Sequence, residues 1–305
     1  MSIRTDLAVE STELYREELR GIESTQKKEN GITVTYVKIT DDEASQKIGK
    51  PIGSYITIEL DSLDFENEDM VEKASNAVKN ELYQLIDKKA ENVLVVGLGN
   101  QYITPDSIGP KTVSDIFVTR HLKDVKEIDF DFRSVSAVAP GVLGLTGIET
   151  GEIVSGVAKK VSPDLIIAVD ALASRSIKRL GTTIQISDTG INPGSGVGNN
   201  RKELSEKSLG VPVIAIGVPM VVDAVTISED IIDYVNSFCR EYGGEEVFGI
   251  IGKMSAEDRT AIIRKALPGK KENIFVTPND VDVISEQASK IIAKGINKLL
   301  NEDIF

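Results

Sequence analysis

The 305-residue sequence is poor in the side chains most often used for enzymatic chemistry. It holds one cysteine (Cys239), one histidine (His121) and no tryptophan. A single cysteine rules out an internal disulfide and fits a reducing cytoplasm. One His and one Cys fall short of the three or four ligands of a closed zinc site. A carboxylate-only site for a hard cation stays open. No apolar run approaches the roughly 18 residues of a membrane span, and the first twenty residues carry no apolar signal-peptide core. Positive charge is also short. Thirty-five Lys and Arg face 48 Asp and Glu, for a net charge of −13. Such a surface repels phosphate backbones, so nucleic acid is not expected as a direct partner.

What is present is an α/β pattern. The runs 32–39 and 54–60 alternate apolar and polar residues, as half-buried strands do. Residues 70–88 place Val71, Ala74, Val78, Leu82, Leu85 and Ile86 on one helical face. The expected order then continues with a strand ending at VLVVG (93–97), a helix from Gly109 to about Leu122, a strand and loop at 134–141, and a helix at 150–160. A strand and loop follow at 164–172, then strands in GTTIQISDTG (181–190) and in VPVIAIGVP (211–219). Helices at 223–238 and 279–300 close the chain, and Leu14, Leu19 and Ile22 suggest a further helical stretch near the start. Runs such as LIIAV and VIAIG are apolar on both faces, as in a sheet covered by helices on both sides. The expected fold is one α/β domain of three layers with a mostly parallel or mixed sheet.

The familiar site motifs are missing. The loop GLGNQYITPDSIGP (97–110) follows a buried strand, but Tyr102 stands where a dinucleotide site needs its third glycine. No Gly-Lys-Ser/Thr ending marks a P-loop, and no cofactor is expected. Ser195 lacks the G-x-S-x-G spacing. A serine triad needs a histidine base, and His121 lies some 18 Å along the expected helix from its start, at about 1.5 Å per residue. Carboxylates remain. In open α/β sheets ligands collect beyond the carboxyl ends of strands. Asp106 closes the loop after VLVVG, and Asp170 directly follows LIIAV. If those strands are neighbours, both acids face one crevice. A close pair shares a proton, so the anion can take a proton from water while the acid polarises a carbonyl. The same residues also read as a helix cap (Asp106) and a loop brace (Asp170).

GLGNQYITPDSIGP, APGVLGLTGIET (139–150), IIAVDALASRS (166–176) and ISDTGINPGSGVGNNRKE (186–203) together resemble the germination proteases of spore-forming bacteria. The resemblance spans nearly the whole chain. It implies an endopeptidase that degrades small acid-soluble, DNA-coating spore proteins, acting as a homotetramer in the cytoplasm of the spore core. It further implies a fold similar to hydrogenase maturation proteases, and Asp106 and Asp170 as catalytic residues. The hydrogenase-type relatives hold a metal with two carboxylates and a histidine. His121 is poorly placed for that role, so no metal is expected. The family's zymogens cut themselves in a sequence that Ile3-Arg4-Thr5-Asp6-Leu7-Ala8 matches. This implies scission between Asp6 and Leu7, a propeptide of residues 1–6 and a mature domain of residues 7–305. Cleavage after an acid needs a positive receptor, for which Arg175 and Arg201 are candidates, though both also read as ordinary surface charges. The loop 190–200 is expected to rim the crevice or to form a plain surface turn. Two departures stand out: a pro-segment shorter than the family's usual one, and a short EYGGEE loop (241–246) where longer members carry an insertion. The alternatives are a metal-dependent maturation protease for another protein target and a non-enzymatic protein that holds DNA-released chains.

Overall fold

A computed structural model describes residues 5–13, 20–61, 67–123, 132–194, 202–241, 254–266 and 274–301. Leu14, Leu19, Arg201, most of EYGGEE and the side chain of Cys239 lie outside the described residues. The strands are β1 (Ile22–Glu29), β2 (Ile32–Ile39), β3 (Gly53–Leu60), β4 (Asn92–Gly97), β5 (Ser134–Val138), β6 (Leu165–Ser174), β7 (Thr183–Ser187), β8 (Val213–Asp223) and β9 (Phe275–Val276). The helices are α1 (Ala8–Glu13), α2 (Asp42–Ile48), α3 (Glu68–Leu85), α4 (Ile108–Ser114), α5 (Leu143–Thr146), α6 (Thr150–Val161), α7 (Glu206–Leu209), α8 (Ala224–Glu241), α9 (Ala256–Ala266) and α10 (Val281–Leu300).

All nine strands join one mixed sheet in the order β1-β2-β3-β7-β8-β6-β4-β5, with β9 paired to β8. The half containing β5, β4, β6 and β8 is parallel. The half containing β1, β2, β3 and β7 is antiparallel and joins β8 antiparallel through β7. One face of the sheet is covered by α3, α4 and α10. There Ala74, Val78, Leu82, Ile108, Ile291 and Ile296 pack on Ile58, Val95, Ile167, Ile186 and Ile216. The other face of the parallel half is covered by α6, whose Val154 and Ala158 meet Leu94, Val96, Ile166 and Ala168. Each fully buried Val, Leu or Ile contributes about 1.5–3 kcal/mol, so these two seams hold the three layers together. Over the antiparallel half the second face is capped by α1 and α2, through Ala8, Ala44 and Ile48 against Val37, Ile39 and Tyr55.

Three sequence expectations are corrected. Ile22 does not extend a helix but starts β1, which pairs with β2 along its whole length through an Asn30-Gly31 turn. Both turn residues have positive φ, as a two-residue hairpin turn requires. The helix opening near Gly109 stops at Ser114 instead of running to Leu122. There Asn297 of α10 takes the Asp115 carbonyl and receives the Phe117 N–H, and Val135 captures Thr119, so tertiary bonds replace the helical ladder. Finally, Asp170 is not beyond its strand. β6 continues to Ser174 alongside β8, and Asp170 sits opposite Gly217.

Candidate active site

The acid loop is built from backbone bonds outward. β4 ends at Gly97 opposite Val169 of β6, and the Leu98 N–H still reaches the Val169 carbonyl at 2.7 Å. Gly99 then turns with φ of +109°, and a Cβ there would lie 2.1 Å from the Asp106 carbonyl oxygen. Only glycine allows this backbone approach. Gly109 is equally tight: a Cβ would come within 2.5 Å of Leu98 and Val169 backbone atoms, so α4 begins directly against the end of β4 and the middle of β6. Between them Thr104–Asp106 forms a single 3-10 turn, with Pro105 supplying its fixed φ. The Asn100 N–H donates to the Asp106 carboxylate at 2.9 Å. Ser107 ties the loop to α10 through Ser285 at 2.9 Å. The two prolines and the glycine pair therefore serve one purpose, a rigid mount for Asp106.

Asp170 reaches the same place from β6. It is 5% exposed, and one carboxylate oxygen accepts the Ala171 N–H at 2.9 Å. Because β4 stops at Gly97 while β6 continues, Asp170 lies where the sheet opens on that side. Asp106 and Asp170 both line one cavity of about 210 Å³, together with Asp6, Leu172, Pro193 and Gly194. Pro193 and Gly194 put the start of the 190–200 loop on the cavity rim; residues 195–200 lie outside the described residues.

The N-terminal segment enters this cavity. Asp6 pairs with Ala173 of β6: its N–H donates to the Ala173 carbonyl at 2.8 Å, and its carboxylate accepts the Ala173 N–H at 2.8 Å. Leu7 is fully buried against Leu172, Val9 and Ile191. Gln185 of β7 donates to the Asp6 carbonyl at 3.0 Å and accepts the Ala8 N–H at 2.7 Å. The Lys50 ammonium donates to the Thr5 carbonyl at 3.1 Å. Desolvation pushes Lys50 below its ordinary pKa of 10.5, while the carboxylates of Asp6 and Glu10 pull it up. Glu10, 2% exposed, anchors the segment further. Its carboxylate accepts the Thr5 hydroxyl and the N–H groups of Arg175 and Ser176, and pairs with Arg179.

The structure thus brings Asp6, Leu7, Asp106 and Asp170 together. It does not bring the Arg175 side chain there: its guanidinium pairs with Asp230 at 3.0 Å on the surface, and only its backbone touches the segment. Arg201 lies outside the described residues. His121 sits on the exposed turn Arg120–Leu122 and is not among the residues lining the cavity. Among the described residues no cluster of three His, Cys, Asp or Glu has the geometry of a metal site. Sequence reading missed Lys50, Gln185 and Glu10. Gln185 carries no local signal, since TIQIS alternates Thr183, Gln185 and Ser187 with two isoleucines as an ordinary strand does.

The family model for germination proteases matches residues 3–246 and 240–305. The two stretches meet in the segment where longer members are expected to insert. The germination protease of Caldanaerobacter subterraneus subsp. tengcongensis is 49% identical, covering 98% of this chain and 94% of its own. That of Clostridium perfringens is 45% identical, covering 99% and 96%. The Oceanobacillus iheyensis germination protease aligns at 42% identity over 349 positions, more than the 305 residues of this chain. Among solved structures, a NiFe hydrogenase maturation protease from Thermococcus kodakarensis is similar at a TM-score of 0.38 and 17% identity, over 72% of this chain and 98% of its own.

Proposed function

The chain belongs to the germination protease family, and on that footing we propose that it is an aspartic-type endopeptidase that starts the degradation of small acid-soluble, DNA-binding spore proteins. Membership makes it a peptidase acting in germination. The finer reading assigns the chemistry to Asp106 and Asp170. Two carboxylates facing one small cavity resist double ionisation, so one keeps its proton. The charged acid takes a proton from a water as its oxygen attacks the peptide carbon, and the protonated acid polarises the carbonyl oxygen. Collapse of the adduct breaks the C–N bond and returns a proton to the leaving nitrogen. No metal is called on in this scheme.

The observation that carries the reading is that Asp6 lines the same cavity as Asp106 and Asp170, with Leu7 buried beside it. The chain holds its own junction as a substrate would be held, which supports self-processing between Asp6 and Leu7. Residues 1–6 then leave as a propeptide, and until they do Asp6 occupies the cavity. In substrate proteins the acid before the cut would take the place of Asp6. Arg175 is proposed to assist there, since its partly exposed pair with Asp230 is worth at most about 1 kcal/mol and exchanges readily. Arg201 is proposed for the same role. The enzyme is proposed to work as a homotetramer in the spore core. Among the described residues no helix is long and apolar enough to cross a membrane.

The test is incubation of the purified protein with a small acid-soluble spore protein, with and without chelator. Fragments in both conditions, and none from a folded Asp106→Asn variant, uphold the reading. Fragments only without chelator favour a metal-dependent protease, and a stable complex without fragments favours a binding protein.

A further inference from the structure

Gln185 sits on β7, on the face opposite Ile184 and Ile186, which point into the core between the sheet and α3 and α10. On its own face it is 8% exposed and neighboured by two other buried polar residues, Thr183 and Ser187. A buried amide without partners costs about 1–3 kcal/mol, and both ends of this one are satisfied by the N-terminal segment. Its nitrogen donates to the carbonyl oxygen of Asp6, and its oxygen accepts the N–H of Ala8. The two contacts leave one orientation for the amide, because a carbonyl can only accept and an N–H can only donate.

These two atoms bracket the Asp6–Leu7 bond. One is the carbonyl oxygen of the bond itself, and the other is the amide nitrogen of the second residue after it. We infer that Gln185 is a further catalytic residue: its side-chain N–H stabilises the oxyanion formed at the scissile carbonyl, and its side-chain oxygen sets the register of the chain after the cut. This rests on the reading of Asp6–Leu7 as a cut site. When water adds to the Asp6 carbonyl carbon, the C=O π pair moves onto the oxygen, and the donor at 3.0 Å is already aimed at that atom. The water proton goes to the charged member of the aspartate pair. Expulsion of the Leu7 nitrogen, which takes a proton from the pair, then restores the carbonyl as the new carboxyl group. An oriented donor of this kind is worth about 10²–10³-fold in kcat. Both contacts are to backbone, so Gln185 would hold any substrate chain in the same register whatever its side chains. Preference for acids before the cut must then come from elsewhere, and Lys50, whose amine donates to the Thr5 carbonyl next to Asp6, is a basic group placed for it.

The test compares wild type with Gln185→Glu and Gln185→Met, by self-processing and by cleavage of a peptide spanning residues 3–11. Glutamate keeps the acceptor for the Ala8 N–H but replaces the donor with an anion at neutral pH. The expected result is a kcat lower by about 10²–10³-fold with KM little changed, and partial recovery as pH falls and the carboxyl regains a proton to donate. Gln185→Met loses both bonds, so its kcat falls and its KM rises; it also serves if the glutamate variant fails to fold. A peptide N-methylated at the position of Ala8 should raise KM for wild type but not for Gln185→Met. Either folded variant cutting at the wild-type kcat would overturn the assignment while leaving the cut site intact. A wild-type protein that never cuts between Asp6 and Leu7 removes the cut site itself, and with it this role for Gln185.

Discussion

The two halves of the sheet divide the work. The parallel half, β5-β4-β6-β8, is buried on both faces and presents Asp106 and Asp170 where β4 ends and β6 runs on. The antiparallel half, β1-β2-β3-β7, has a second face that mixes Thr57 and Gln185 with Val37 and Tyr55 beneath α1 and α2, and it contributes Gln185 and the nearby Lys50 that grip the N-terminal segment. In the proposed scheme one half carries the reacting acids and the other holds the chain to be cut, and Ala173 at the far end of β6 pairs with Asp6 between them. A buried parallel sheet is a stiff platform for two carboxylates. The antiparallel half offers Gln185 on the face opposite Ile184 and Ile186, so the segment is held without disturbing the core those isoleucines join.

This division can be tested by perturbing each half in turn. The largest effect is expected in the parallel half. Asp170→Asn should lower peptide cleavage by about 10²–10⁴-fold, the range for losing a positioned acid or base, while circular dichroism stays native. Next comes the mount of Asp106. Gly99→Ala places a Cβ 2.1 Å from the Asp106 carbonyl oxygen in a backbone conformation that costs about 1–3 kcal/mol. Calorimetry should record that loss, and activity should fall with it.

The antiparallel half should respond differently. Desolvation lowers the Lys50 pKa in the folded protein against an ordinary value of 10.5. Keeping Lys50 charged in the folded protein therefore works against folding, and this penalty shrinks as pH rises from the folded value toward the unfolded one. Lys50→Met removes the penalty together with the bond to the Thr5 carbonyl. The melting temperature at pH 7 should not fall, yet hydrogen exchange at Leu7 and Ala8 should accelerate. A loss of stability with unchanged exchange would erase the distinction between holding the segment and holding the fold. The smallest effect is expected outside both functions. Lys294 and Lys298 hold Glu72 down to about 2, between α3 and α10. This support is complete above pH 4.5 and fades as pH drops toward 2. Glu72 and Lys294 keep 43% and 44% of their side-chain surface in solvent, so Glu72→Gln should cost less than about 1 kcal/mol at pH 7 by calorimetry and leave cleavage untouched.

The parallel half was legible in the sequence because burial on both faces writes itself as apolar runs, and the glycine-proline loop at 97–110 marks its own turn. The helix of 70–88 and the C-terminal helix were equally plain from their stripes. The antiparallel half was harder to read. β1 is exposed along almost its whole length, so it shows no alternation, and only Asn30-Gly31 betrays the hairpin. The end of α4 depends on Asn297, 180 residues from Phe117, which no local pattern contains. At the site, both aspartates could be nominated from strand ends, although Asp170 proved to lie within a longer strand. Lys50 and Gln185 could not, because their roles exist only once residues 5–8 fold back across β7. Arg175 was legible by its proximity to β6, and its pairing with Asp230 at the surface was not.

The most direct measurement is the intact mass of the purified protein over time, for wild type beside Asp106→Asn and Asp170→Asn. Wild type is expected to lose the mass of residues 1–6, with a new N-terminus at Leu7, and both folded variants to keep it. Loss of the same six residues from either variant at the wild-type rate would contradict it.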